Sequence, residues 1–245
     1  MTPDARVAAQ IADAGRALAD ALGARVACVA LYGSAAGEEF SPAHSDVNLL
    51  IVLNEIEFAD LRLIGATLER AAARHGLRFA TPLVVSPEFL AAARDSFPIE
   101  LEDLRTRHRI LAGEDLVAPL RVARAAVRVA AEREARTMLL RVHALAIHRP
   151  PDAIAREALS HLAAAFVVVG AALVDCHAGS ARPRGRALLA EVAARLGIAL
   201  PSFGELLAMR DGERPWPAAE ALDALLARLV GELGAVIRAI DGATG

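Results

Sequence analysis

Between Leu31 and Leu53 the chain reads LYGSAAGEEFSPAHSDVNLLIVL. An apolar strand runs into a Gly33-Ser34 turn, a loop follows, and Ser45-Asp46-Val47-Asn48 heads a second apolar strand. A small turn facing a strand-borne carboxylate suits a triphosphate and its metal. Gly33 permits close backbone approach, while the hydroxyls of Ser34 and Ser45 and nearby N–H groups can hold phosphate oxygens. Residues i and i+2 of a strand share a face, so Asp46 and Asn48 point to one site. Magnesium prefers hard, anionic oxygens. Asp46 meets that demand, whereas Asn48 offers only a neutral carbonyl oxygen and would be a weak second ligand.

The flanking elements must hold these residues in place. Val26–Tyr32 and Val47–Leu53 are continuous apolar runs, as expected of strands buried on both faces. Helical spacing of apolar residues predicts helices over residues 3–22 and 58–75, closed by Gly23 and Gly76. A third strand is expected over Leu77–Val85, at an edge or bulge because it contains Pro82. Ser86 and Pro87 open a short helix. Residues 97–111 read as a pair of edge strands. After Gly113-Glu114-Asp115 the composition shifts, and helices are predicted over 120–148 and 154–176, both long, then over 187–196, a short one over 203–209, and a last one from Pro215 to about residue 240. The reading is therefore an α/β (α+β) mixed-sheet domain over 1–115 and an all-α antiparallel bundle over 116–245.

Composition narrows the function classes. Of 245 residues, 55% are hydrophobic but only 4% aromatic, which favours helices packed through small side chains. The net charge of −3 gives no general affinity for nucleic acid or an acidic membrane. All 27 basic residues are arginine, so any side-chain cation that grips a phosphate has a planar fork. Cys28 and Cys176 lie in apolar runs and read as buried thiols. The apolar run Leu162–Val174 is shorter than the roughly 20 residues of a membrane span, and the N-terminus carries no signal pattern. A soluble, cytoplasmic protein is expected, and an alanine-rich bundle could form a homodimer. The basic run Arg105, Arg107, His108, Arg109 is a solvated face or a phosphate-binding lip. Arginines 121, 124, 128 and 136 recur along one helix as a salt-bridged stripe or a cleft border.

Leu31-Tyr32-Gly33-Ser34, followed after a gap by Asp46-Val47-Asn48-Leu49, resembles the nucleotidyltransferase superfamily, in the group of kanamycin nucleotidyltransferase and the minimal nucleotidyltransferases. Its pattern is Gly-Ser, a gap, then Asp-apolar-Asp/Glu. The resemblance implies transfer of a nucleoside monophosphate from an NTP to a hydroxyl of a small-molecule or protein acceptor, with Mg²⁺ or Mn²⁺. Asp46 would be the main metal ligand and Asn48 the second, with Gly33, Ser34 and Ser45 gripping the triphosphate. Such sites take a third carboxylate from a later strand, but residues 77–83 contain none. Glu100 is the best later candidate for a catalytic base, with Glu102 and Asp103 behind it. The chain thus departs twice from the pattern. The alternative is a catalytically degenerate fold that serves as a nucleotide-binding or protein-interaction module, and a third idea is a purely structural helical partner.

Overall fold

The computed structural model describes residues 5–36, 46–175 and 185–242, apart from the side chains of Ser34, Asp175 and Ala219. The chain divides into two compact units, Met1–Val122 and Ala123–Gly245. In the first, α1 (Ala5–Leu22) leads into β1 (Val26–Tyr32) and a 3₁₀ turn, Gly33–Ala36. Next come β2 (Asn48–Leu53), α2 (Phe58–His75) and β3 (Leu83–Val85). Then follow α3 (Pro87–Ala92), α4 (Pro98–Thr106) and β4 (His108–Gly113). The sheet order is β3-β2-β1-β4, with β1 antiparallel to β2 and β4, and β2 parallel to β3.

Alternate residues of the two central strands feed two buried clusters, which is why the runs are apolar throughout. Val29, Leu31, Leu49, Ile51 and Leu53 pack with Ile11 and Leu18 of α1 and Ile64 and Leu68 of α2. Cys28, Ala30, Leu50 and Val52 pack with Leu90, Leu101 and Leu104 of α3 and α4. Val117 and Leu120 are buried in that second cluster, so the segment after residue 115 stays with the sheet. Local caps behave as their residue types require: the Phe89 N–H donates to Ser86 Oγ at 3.1 Å, and Gly76 ends α2 in the left-handed conformation.

Two expectations need correction. Residues 97–111 are not a strand pair but α4 followed by the single strand β4. The alternation Ile99–Leu101 imitates a strand, yet Pro98, Leu101 and Leu104 recur at helical spacing and are buried. Pro98 suits the first helical turn, and the Glu102–Arg105 and Asp103–Arg107 pairs brace the helix along its length. The third strand is also shorter than expected. Only Leu83–Val85 pairs regularly, at the sheet edge, and a lone parallel bridge joins Val47 to Phe79 upstream of Pro82.

The second unit holds α5 (Arg124–His148), α6 (Asp152–Asp175), α7 (Gly185–Leu196), α8 (Pro201–Arg210) and α9 (Ala219–Gly242). α5 packs on α6 and α9, and α6 on α7 and α8. Phe166 of α6 and Phe203 of α8 stack at 3.7 Å between ring centroids. As a folded helix, α6 exceeds the apolar run read from sequence and is long and apolar enough to cross a membrane by composition; however, 56% of that stretch is buried, including Leu159, Leu162 and Phe166. From the arginine stripe, Arg136 pairs with Glu132 and Asp241, and Arg128 donates to the Ile240 carbonyl. The buried Glu232 of α9 accepts from the N–H groups of Ser202 and Phe203, at 2.8 and 3.2 Å, and so caps the start of α8.

Three outcomes follow from this packing. Glu232→Ala leaves two buried N–H groups without an acceptor and should cost about 1–3 kcal/mol, read as a lowered midpoint in urea. Gly113 has φ +79, and an added Cβ would stand 2.2 Å from the Ala27 carbonyl oxygen. Gly113→Ala should therefore destabilise the sheet by at least about 1–2 kcal/mol in the same assay. Asp115 offers a pH readout. Partial burial tends to raise its pKa, but hydrogen bonds from the Ala118 N–H, from His108 and from the Val117 N–H outweigh this and lower it. A lowered carboxyl pKa stabilises fully above the unfolded value of about 3.9 and is lost as pH falls through the folded value. The protection of the Val117 and Ala118 amides against hydrogen exchange, taken relative to the intrinsic rate at each pH, should fall in that acid window, and Asp115→Asn should flatten the effect.

Candidate functional site

The end of β1 and the start of β2 lie side by side. Tyr32 pairs with Asn48 on one side and with His108 of β4 on the other. The chain then turns through Gly33 at φ +73, where the Gly33 N–H donates to the Arg107 carbonyl at 3.3 Å. A Cβ on Gly33 would stand 3.1 Å from Asn48 Nδ2, so the glycine and the amide are direct neighbours. The half-buried Asn48 thus fills the space beside the turn. Val47 is fully buried in the α1–α2 cluster, and alternation sends its neighbours Asp46 and Asn48 away from that cluster. The structure therefore brings Gly33, Asn48 and Asp46 to one strand end. Ser45 and the Ser34 side chain lie outside the described residues, as do Cys176 and the loop from Gly37.

The Asp46 side chain is 51% exposed, and its Oδ1 is 3.1 Å from Nε of Arg78. Backbone pairing produces this contact. The Val47 N–H donates to the Arg78 carbonyl at 2.7 Å, and the Ala80 N–H donates to the Val47 carbonyl at 3.1 Å. Where a third carboxylate was sought, the chain presents a guanidinium instead. Sequence reasoning searched residues 77–83 for an acid and so passed over the cation; the available signal was a charged residue at the head of an otherwise apolar segment.

Glu100 is exposed on the first turn of α4, and no contact among the described residues joins it to Asp46 or Asn48. Its expected place on an edge strand is thereby corrected. Glu102 is buried against Arg105, with bonds of 2.6 and 3.0 Å. Asp103 pairs with Arg107 at 2.5 Å. Burial, and then the charge of Asp103, push the Tyr32 phenol above its ordinary pKa. Asp103 is thus the α4 acid whose field reaches the strand end. The basic run after it is mostly paired: Arg105 and Arg107 with these acids, and His108 with Asp115 at 3.1 Å and with the Leu104 carbonyl. Cys28 is buried, which raises its thiol pKa.

Among the described residues, the donor set at this strand end does not fit a divalent cation. Asp46 is held by Arg78, Asn48 brings no charge, and residues 77–83 bring no acid. Among the described residues, no group of three or more His, Cys, Asp or Glu side chains could hold a metal ion.

No protein-family model matches the chain, and no curated protein matches it. Among solved structures, it is similar to the crystal structure of spectinomycin adenyltransferase AAD(9) from Enterococcus faecialis with ATP and spectinomycin. The TM-score is 0.60 at 12% identity, over 93% of this chain and 99% of that one. A mixed four-stranded sheet with flanking helices, followed by a helical region, gives the chain a nucleotidyltransferase-like fold.

Proposed function

We propose that this chain binds a nucleoside triphosphate at the strand end formed by Gly33, Asp46 and Asn48, and that it transfers the nucleotidyl group slowly or not at all. The nucleotide part of the reading is supported by the Gly33 turn, the Gly-Ser…Asp pattern and the likeness of fold to a protein solved with ATP. The loss of transfer is supported by one observation above all, the ion pair between Asp46 and Arg78.

Transfer would require an acceptor hydroxyl to attack the α-phosphorus while the bond to pyrophosphate breaks. The hydroxyl must lose a proton, and charge building on the pyrophosphate must be neutralised. Mg²⁺ or Mn²⁺, when bound, supplies that neutralisation. In this chain one carboxylate is engaged by an arginine and its partner position is an amide. Among the described residues Glu100 meets neither of them, so it is not placed as the acceptor's base. Removing one such electrostatic element costs about 10²–10³ in rate. The fuller reading, an active transferase to a small-molecule or protein hydroxyl, makes the opposite prediction in the same assay.

Calorimetry with ATP, GTP, CTP and UTP should detect saturable binding of at least one of them. Pyrophosphate release over a panel of hydroxyl acceptors, with Mg²⁺ or Mn²⁺, should stay at least about 100-fold below ordinary enzyme turnover. Failure to bind any of the four would remove the nucleotide reading, and release at several turnovers per second would restore the transferase. Asn48→Asp adds a second carboxylate and should bring Mn²⁺ binding, negligible in the wild type, into the range read by electron paramagnetic resonance. Unchanged affinity would show that Asn48 is not what weakens metal binding.

A further inference from the structure

The mismatch between the donor set and a divalent cation has a constructive side. We infer that the cation of this site is built into the chain: the Arg78 guanidinium takes the metal's role, and the triphosphate is held without a divalent ion. This inference rests on the nucleotide reading above.

Two backbone hydrogen bonds of Val47, from its N–H to the Arg78 carbonyl and to its carbonyl from the Ala80 N–H, set the Arg78 backbone beside Asp46. Its Nε faces Asp46 Oδ1 at 3.1 Å. A guanidinium has five donors in a rigid plane, and engaging Nε orients the remaining fork. That fork matches phosphate oxygens in paired, charge-assisted bonds. The side chain is 60% exposed and can be reached by a ligand. The chain has no lysine, so arginine is its one permanent side-chain cation.

The two roles for Asp46 predict effects of opposite sign. If Asp46 is a metal ligand, its neutralisation weakens nucleotide binding. If Arg78 is the cation, the Asp46 charge repels phosphate more than it helps by orienting the fork, so Asp46→Asn strengthens metal-free binding.

The test is ATP binding by calorimetry in excess EDTA and in excess Mg²⁺, with Mn²⁺ binding followed by electron paramagnetic resonance. Wild type should bind ATP with affinities within about threefold in the two media, and should bind Mn²⁺ negligibly. Arg78→Gln should lose about tenfold or more in EDTA and should gain Mn²⁺ binding as Asp46 is released. Circular dichroism melts confirm that each variant is folded. Binding that requires Mg²⁺, a loss or no change on Asp46→Asn, or indifference to Arg78→Gln would each overturn the inference while leaving nucleotide binding in place. No ATP binding by wild type in either medium would overturn the nucleotide reading and this inference together.

Discussion

Two backbone hydrogen bonds decide what stands at the end of this sheet. Val47 donates to the Arg78 carbonyl and accepts from the Ala80 N–H, which docks the segment before β3 against the head of β2. Val47 can anchor that docking because it is fully buried among α1 and α2 side chains. Farther along, Leu50 lies opposite Leu83, while Val47 lies opposite Phe79. The edge segment thus spends four residues where β2 spends three. The extra residue falls between Phe79 and Leu83, where Pro82 has no N–H to give a ladder. Regular pairing from Leu83 back to residue 78 would shift the segment by one position and present a different residue to Asp46. The arginine at the site is a consequence of that slip.

Much of the fold was legible in sequence because its causes are local. β1 follows from an unbroken apolar run, and α2 from apolar spacing closed by Gly76. The start of α3 follows from Ser86 and Pro87, whose types dictate the geometry they adopt. α4 was not legible, because Ile99-Glu100-Leu101 fits a period of two as well as the start of a helix. What settles it is burial of Leu104 under the sheet, a tertiary fact.

The site divides along the same line. Gly33 and Asp46 carry their signal in residue type and spacing. That Asn48 nests against Gly33 follows from cross-strand register, which the apolar run constrains. Arg78 lies 32 positions beyond Asp46, and only the slipped edge pairing brings the two together. Glu100 illustrates the converse error. An acid sought for its chemistry was assigned to a strand, and the chain instead placed it on an exposed helical turn.

The two departures from the family pattern, Asn48 and the lack of an acid over residues 77–83, both reduce negative charge. Two carboxylates close together at one strand end repel, and a nearby cation relieves that repulsion. With Asn at position 48, Asp46 is the one carboxylate of that pair, and among the described residues the Arg78 guanidinium lies against it. An aspartate at 48 beside Arg78 would leave one carboxylate uncompensated. An arginine at 78 beside two carboxylates bound to a metal would face a cation of its own sign. Asn48 and Arg78 are therefore mutually consistent, and each would be unfavourable in the charge setting that the other replaces. On the reading proposed above, an amide at 48 suits in charge a site whose cation is Arg78.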